Sequence, residues 1–538
     1  MLCLSKAPLE FAVITDTHYY SKKLGVDTPS YKAFNGRSQK MIKDSEEIIA
    51  AAFSQLAKSD CQNIIFCGDA TCDGEYDSHL EFIQMLYALK KCGKRIFAIT
   101  STHDFRESGI TYKYTGDVRE EIPSAKREEL AAMYRDFGPS DAISVYSDGM
   151  SYVADLDENY RVFALNSDRD GTGRSGFSAN MREWIKQNAE EAKAEGKGMI
   201  AFSHHPLVSP SPFYSLIGKN DMMGGHAEIR EMLADIGIEL VFTGHSHIHD
   251  ISYIFSEKGN VFYDVSTTTL AGYPAYIRKV RITDDNYEIT SENITEPVHV
   301  KFNGDNLQEH LADQFFGMIR RTLDSAASDI PEMAECLAGM SIKKKFSYRF
   351  GWLIKPIAKF IQKLRIGTVY KWTKKENGLT ENQIADIKDG RVFDFIIDLV
   401  MHLYSGDAPY TPDTPQYKIT MGLCAIIDSF FKAIHLPFSR LVKSFDAVGE
   451  LIEPLLYNSG ICDKDAVLPK KADRKAVEGI CNTFDFEPIT SRKGPAIAAV
   501  LVLLVLILIP LIPIIAILLG AGFIINEIKY SEQLKGLK

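Results

Sequence analysis

Five short apolar runs in this chain each end on side chains that can bind metals or move protons. "ITDTH" brings Asp16 and His18, "CGDATCDG" brings Asp69 and Asp73, and "TSTHD" brings Thr102, His103 and Asp104. "SHHP" brings His204 and His205, and "TGHSHIHD" brings Gly244, His245, His247 and His249. Carboxylates and imidazoles fill a core poorly, because each needs a hydrogen-bond partner or a metal. Gathered in one crevice they hold divalent transition metals: imidazole suits Zn, Fe and Ni, and carboxylate extends the range toward Mn. A single DxH or HxH pair is an ordinary surface feature. A series of them, each following an apolar run, predicts a metal site.

The elements that would position these clusters are legible around them. "FAVIT" (11–15), "NIIFC" (63–67), "RIFAIT" (95–100), "RVFAL" (161–165), "MIAFS" (199–203) and "LVFTG" (240–244) read as strands. Amphipathic stretches such as "DSEEIIAAAFSQLAKS" and "DSHLEFIQMLYALKKCG" lie between them, each opening on a capping Asp-Ser. Strands alternating with helices predict a layered α/β domain over 1–300, closed by "NVFYDVSTTTL" and "YIRKVRIT". In such a sheet the crevice outside the carboxyl ends of the strands is where ligands bind. Asp16 and His18, two residues apart, project to the same side of an extended end, as do His245 and His247.

Beyond residue 300 the texture becomes helical, and 301–493 is expected to be a mainly α-helical domain with "SGDAPYTPDTPQY" as an internal loop. Within it, 342–375 has no acidic residue and mixes Lys and Arg with Phe, Tyr and Trp. That mixture fits an interfacial surface on anionic membrane lipid, single-stranded nucleic acid, or a solvated basic helix face. Residues 494–526 contain an uncharged apolar stretch, 496–525, long enough to span a bilayer. Pro510 and Pro513 divide it, leaving open a kinked span or a re-entrant hairpin, and 527–538 form a polar tail. Membrane association through this segment is therefore expected, with the catalytic domain in the cytoplasm. Nine scattered cysteines without a CxxC pair suit reduced thiols. The formal charge of −10 argues against a protein that coats nucleic acid as a whole, though not against local basic patches, and no nucleic acid is expected as a stable partner.

The order DxH, GDxxxD, HD, HHP, GHxH resembles the calcineurin-like metallophosphoesterase superfamily over 11 to about 285, in forms most similar to its bacterial cyclic-nucleotide phosphodiesterase branch. The resemblance implies two divalent metal ions (Mn, Fe, Zn or Ni). One would be held by Asp16, His18, Asp69 and His247, and the other by Asp69, Thr102, His204 and His245. A shared carboxylate is what a two-metal clamp requires. His103 would assist the leaving group, and Asp104 would fix the His103 tautomer from behind. Thr102 departs from the pattern, which has asparagine there. Asp73 would either ligate or support its loop, His205 would support a ligand, and His249 offers a shifted HxH register. Asn166, Arg37, Tyr19 and Tyr20 are further polar residues that could line a substrate pocket.

The implied function is a membrane-tethered hydrolase of a phosphomonoester or phosphodiester, acting by attack of a metal-bound hydroxide on the phosphoester substrate. The alternative is a membrane-anchored scaffold or binding module whose metal site has degenerated, the change at Thr102 being the feature in its favour.

Overall fold

A computed structural model describes residues 8–172, 174–212, 214, 221–339, 343–440, 445–459, 461–484 and 530. The apolar runs become strands β1 (Leu9–Ile14), β2 (Asn63–Phe66) and β3 (Arg95–Ala98), then a hairpin of β4 (Ile110–Thr115) and β5 (Val118–Pro123). After these come β6 (Ser144–Val145), β7 (Tyr152–Asp155), β8 (Tyr160–Ala164), β9 (Gly198–Phe202) and β10 (Leu240–Thr243). The series closes with β11 (Asp250–Phe255), β12 (Val261–Ser266), β13 (Ile277–Ile282), β14 (Asn286–Glu292) and β15 (Ala466–Pro469). One sheet runs β15-β14-β13-β1-β2-β3, and a second runs β11-β12-β10-β9-β8-β7-β6.

Strands β1, β2 and β3 are mutually parallel, as are β8, β9, β10 and β12. Being covered on both faces, they are continuous apolar runs rather than alternating ones. The sheets pack face to face through Phe11, Val13, Ile65 and Phe97 on one side and Val162, Ile200, Phe242 and Val265 on the other. Phe11 and Phe242 meet edge to face at 5.6 Å between ring centroids. Helices Ser45–Lys58 and Tyr76–Lys91 cover the outer face of the first sheet with Ile48, Ile49, Phe53, Leu56 and Phe82. Helices Ala179–Ala194 and His226–Asp235 cover the second with Met181, Ile185, Ile229 and Leu233. The result is a layered α/β domain whose parallel strands deliver their carboxyl ends to one edge.

The region after 300 is mainly helical, with long helices at Leu307–Ser328, Lys344–Lys363, Val392–Ser405 and Pro415–Ala433. Its last part departs from the helical expectation. β15 pairs antiparallel with β14, and Leu468 is fully buried in the core between the sheets. An unpaired edge at β14 would leave backbone groups without partners, and a four-residue strand from far along the chain supplies them. The basic segment 342–375 includes helices Lys344–Lys363 and Ile366–Trp372, with Phe346, Phe350, Phe360 and Trp372 exposed.

The expected membrane association is overturned: among the described residues, no helix is long and apolar enough to cross a membrane. The longest described helix carries its apolar residues along one stripe. In Leu307–Ser328, buried Leu311 and Phe315 alternate with Glu309, Asp313, Arg320 and Arg321, so no run approaches the length a bilayer requires. The stretch 496–525, on which the expectation rested, lies outside the described residues.

Candidate metal centre

The ends of β1, β2, β9 and β10 and the turn after β3 converge. Asp16, His18 and His247 bring one ligand atom each to within 4.8 Å of one another, as do Asp69, His204 and His245, and His18, Asp69 and His103. His247 Nε2 stands 3.2 Å from Asp16 Oδ1, and His18 Nε2 stands 3.5 Å from the same oxygen. Asp69 faces both halves: its Oδ1 accepts from the His103 backbone N–H at 2.9 Å, and its Oδ2 lies 3.1 Å from His204 Nε2. Asp16 and His204 are fully buried, as befits groups that exchange water for a cation.

The backbone is bent to make this convergence. Asp16, His18, Asp69, His245 and His247 all have positive φ, between 40° and 63°. A non-glycine residue there costs ~1–3 kcal/mol, and such strain concentrates where function requires it. Hydrogen bonds hold the bends: Asp16 N to Gly68 O at 3.0 Å, His18 N to Asp69 O at 3.1 Å, and His245 N to Asp16 Oδ2 at 3.0 Å. Gly244 is required by close approach, since a Cβ would stand 2.4 Å from Asp16 Oδ2.

The electrostatics call for positive charge at the centre. Burial alone would raise the Asp16 and Asp69 carboxyls, but the neighbouring imidazoles, His204 foremost, hold both well below the ordinary carboxylate range. Burial alone would lower His204, yet Asp69 and Asp16 push it up to about 9. Burial pushes His103 down to about 4 and His245 down to about 3, leaving both neutral at pH 7. His204 Nδ1 is engaged by the Cys67 carbonyl at 2.9 Å, and its buried Nε2 faces Asp69 and Asp16 without a well-aligned hydrogen bond. Paired carboxylates, neutral imidazoles and an orphaned ring nitrogen fit divalent cations.

The calcineurin-like phosphoesterase family model matches residues 9–249. This part of the chain is a calcineurin-like phosphoesterase domain. The match supports a phosphoester hydrolase activity for this domain. Among solved structures, a dimetal phosphatase from Danio rerio is similar at 14% identity and a TM-score of 0.38, covering 54% of this chain and 98% of its own. A purple acid phosphatase from yellow lupin (Lupinus luteus) seeds is similar at 12% identity and a TM-score of 0.35, covering 55% of this chain and 53% of its own. No curated protein matches the chain.

Within the phosphoesterase domain, the other candidate residues separate by contact. His205 Nδ1 meets Ser167 Oγ at 2.9 Å, and its ring packs 4.5 Å from that of His245, a supporting position. His249 turns away to Ser291 Oγ at 2.7 Å, so the HxH pair at the centre is His245 and His247. Asp73 accepts from Thr111 Oγ1 and pairs with Arg106, which makes it a loop support. Thr102 is half-buried in the turn that carries His103. Asn166 donates to Thr100 O, Arg37 pairs with Glu332, Tyr19 donates to Glu81 and Tyr20 donates to Leu24 O, so all four serve packing.

Asp104 has a different task from the one expected. The His103 Nδ1–H donates to the Cys72 backbone carbonyl at 2.7 Å, and that contact fixes the tautomer. The Asp104 carboxylate accepts from Ser101 N at 2.8 Å and Thr71 N at 2.9 Å, tying the turn after Asp69 to the turn before His103. A carboxylate one residue along the chain points out of the same turn in another direction, whereas a carbonyl on the facing loop lies in line with the ring.

Two residues escaped the sequence reading. Gln39 contacts His247 Nδ1 at 2.6 Å, and Lys40 Nζ lies 3.1 Å from His18 Nδ1. Burial draws Lys40 below the usual lysine value, with Cys72, Asp69 and Asp16 opposing. Neither residue follows an apolar run, and no local pattern marks them.

Proposed function

We propose that the chain hydrolyses a phosphomonoester or phosphodiester at a centre of two divalent cations, of Mn, Fe, Zn or Ni type. Asp16, His18, Asp69 and His247 would hold one cation, and Asp69, His204 and His245, with Thr102, the other. The observation that carries this reading is Asp69, whose carboxylate stands between His18 and His103 on one side and His204 and His245 on the other. Bound cations would polarise the phosphoryl oxygens and lower the pKa of a coordinated water.

The chain's own residues supply the rest. His103 presents Nε2 to the cluster because Nδ1 is engaged by Cys72 O, so it can stabilise or protonate the departing oxygen. Asp104 keeps the turns at 71 and 101 in register, and the strained bends at Asp16, His18, Asp69, His245 and His247 fix the ligand directions before substrate arrives. The test is metal analysis of the purified protein together with hydrolysis of p-nitrophenyl phosphate and bis-p-nitrophenyl phosphate in added Mn. Two equivalents of bound metal and cleavage of at least one ester are expected. Metal-loaded protein that cleaves neither would return the chain to the class of binding modules.

A further inference from the structure

We propose that Gln39 is the residue that positions His247 for its cation, and that through it the helical region after 300 sets the affinity of one cation of the pair and not of the other. This rests on the two-cation reading above.

The imidazoles of the centre are steadied from behind in two ways. His204 Nδ1 meets Cys67 O at 2.9 Å, His103 Nδ1 meets Cys72 O at 2.7 Å and His18 Nδ1 faces Thr71 O at 3.3 Å, all backbone carbonyls of the loop after β2. His247 is held differently. Its Nε2 stands 3.2 Å from Asp16 Oδ1 and 3.2 Å from His18 Nε2, facing the centre. Its Nδ1, on the outer edge of the ring, meets the side-chain amide of Gln39 at 2.6 Å. Among the described residues no backbone carbonyl takes that place. An amide offers both a donor and an acceptor, so it matches Nδ1 in either tautomer and fixes the ring plane. Contacts of this kind orient a ligating imidazole, and losing one weakens the metal without removing a ligand.

Gln39 belongs to a strap, residues 35–41, that is fastened along two edges. Toward the sheets, Lys40 forms a bridge with Gly272 and Met41 N donates to Ala271 O at 2.6 Å, while nearby Thr269 donates to Asp16 O at 2.6 Å. Toward the helices, Gln314 of Leu307–Ser328 donates to Ser38 O at 2.7 Å and to Asn35 O at 2.8 Å. Arg37 Nε donates to Glu332 Oε1 at 3.1 Å, and the same oxygen accepts from Arg321 Nε at 3.1 Å. The helical region thus sets where the strap lies, and a side chain is placed only as well as the backbone that carries it.

The strap reaches the centre at two points, Gln39 on His247 and Lys40 Nζ at 3.1 Å from His18 Nδ1. Both histidines belong to the half that contains Asp16. Among the described residues the strap makes no hydrogen bond to Asp69, His204 or His245. A shift of the helices therefore reaches one cation through the strap, and the other keeps a histidine fastened to Cys67 O.

The experiment titrates metal-stripped, full-length protein with Mn by calorimetry. Wild type should take two equivalents, and His247→Ala should identify which binding step belongs to the cation beside it. Gln39→Ala should weaken that step about 10–100-fold and the other by less than about threefold, with the metal-free Tm unchanged. Gln39→Glu, which keeps the length and an oxygen for Nδ1, should recover most of the loss. Gln314→Ala, far from the metal residues, should weaken the same step by less than Gln39→Ala does. Unchanged Mn binding in Gln39→Ala, equal weakening of both steps, a lowered metal-free Tm, or no recovery in Gln39→Glu would each overturn the positioning role. Unchanged Mn binding in Gln314→Ala would overturn the part given to the helical region. Wild type that binds no Mn would instead overturn the two-cation reading, and the proposal with it.

Discussion

Asp69 and Asp73 sit four residues apart in one motif and do different work. Asp69 faces both halves of the centre, whereas Asp73 braces Thr111 and Arg106. Asp69→Asn should therefore lower activity at least ~100-fold with loss of bound metal, and Asp73→Asn only a few-fold, as measured by kcat and metal content. Comparable losses would displace Asp69 from the shared position. His103 and Asp104 are adjacent yet also separable. His103→Ala should keep its metal and slow turnover by ~10²–10⁴, most on esters with basic leaving groups. Asp104→Ala should act on the fold: it leaves the Thr71 and Ser101 N–H groups buried without acceptors, at ~1–3 kcal/mol each, and the denaturant midpoint should fall. Thr102 offers a hydroxyl where the family has an amide, so Thr102→Asn should tighten the second metal and lower the Mn needed for half-maximal activity.

At the scale of elements, β15 decides whether the sheet domain stands alone. It pairs with β14 from Asn286↔Pro469 to Ile289↔Ala466, and Leu468 enters the core between the sheets beside Tyr287 and Ile289. Leu468→Ala should cost ~2–5 kcal/mol, read from the denaturation midpoint, although it lies far from the metal residues in sequence. A negligible change would mean that the edge is closed without this strand. The helices contribute differently. Helix Leu307–Ser328 touches the strap 35–41 through Gln314, and His310 meets Asp44 at the start of Ser45–Lys58 at 2.9 Å. The helical region therefore supports the centre from outside, through the segment that carries Gln39 and Lys40.

Across the whole molecule, a buried polar knot joins the two regions. Asp463 Oδ1 accepts from Ile251 N at 3.0 Å, Asn482 Nδ2 donates to Asp250 Oδ1 at 2.8 Å, and Arg278 donates to Asp463 O at 2.8 Å. Burial pushes Asp463 up to about 7 despite its hydrogen bond from Ile251 and the nearby Arg278, and burial followed by the Asp463 charge pushes Asp250 well up too. The folded protein then holds protons that the unfolded chain, with carboxyls near about 4, has released. Stability contributed by these groups is present at low pH and is lost as pH rises through the folded value. In metal-depleted protein, the Tm of wild type should fall relative to that of Asp463→Asn between pH 5 and pH 8, the opposing contribution of the buried neutral histidines being common to both proteins. A Tm difference that stays constant across that range would assign no such role to Asp463.

The sequence by itself determined which residues could hold metal and which strands would carry them. Each of those signals is local: an apolar run followed within a few residues by a carboxylate or an imidazole, as in "ITDTH" or "TGHSHIHD". The layered α/β class followed from the same runs, because parallel strands buried on both faces are apolar throughout. Only the tertiary structure decided what holds those ligands in place. Gln39 meets a histidine 208 residues away, the His103 proton goes to a backbone carbonyl that any residue would offer, and β15 reaches β14 from beyond the helices. Side-chain type and periodicity carry no trace of such contacts, since they depend on where two loops or two edges meet once the sheets have packed.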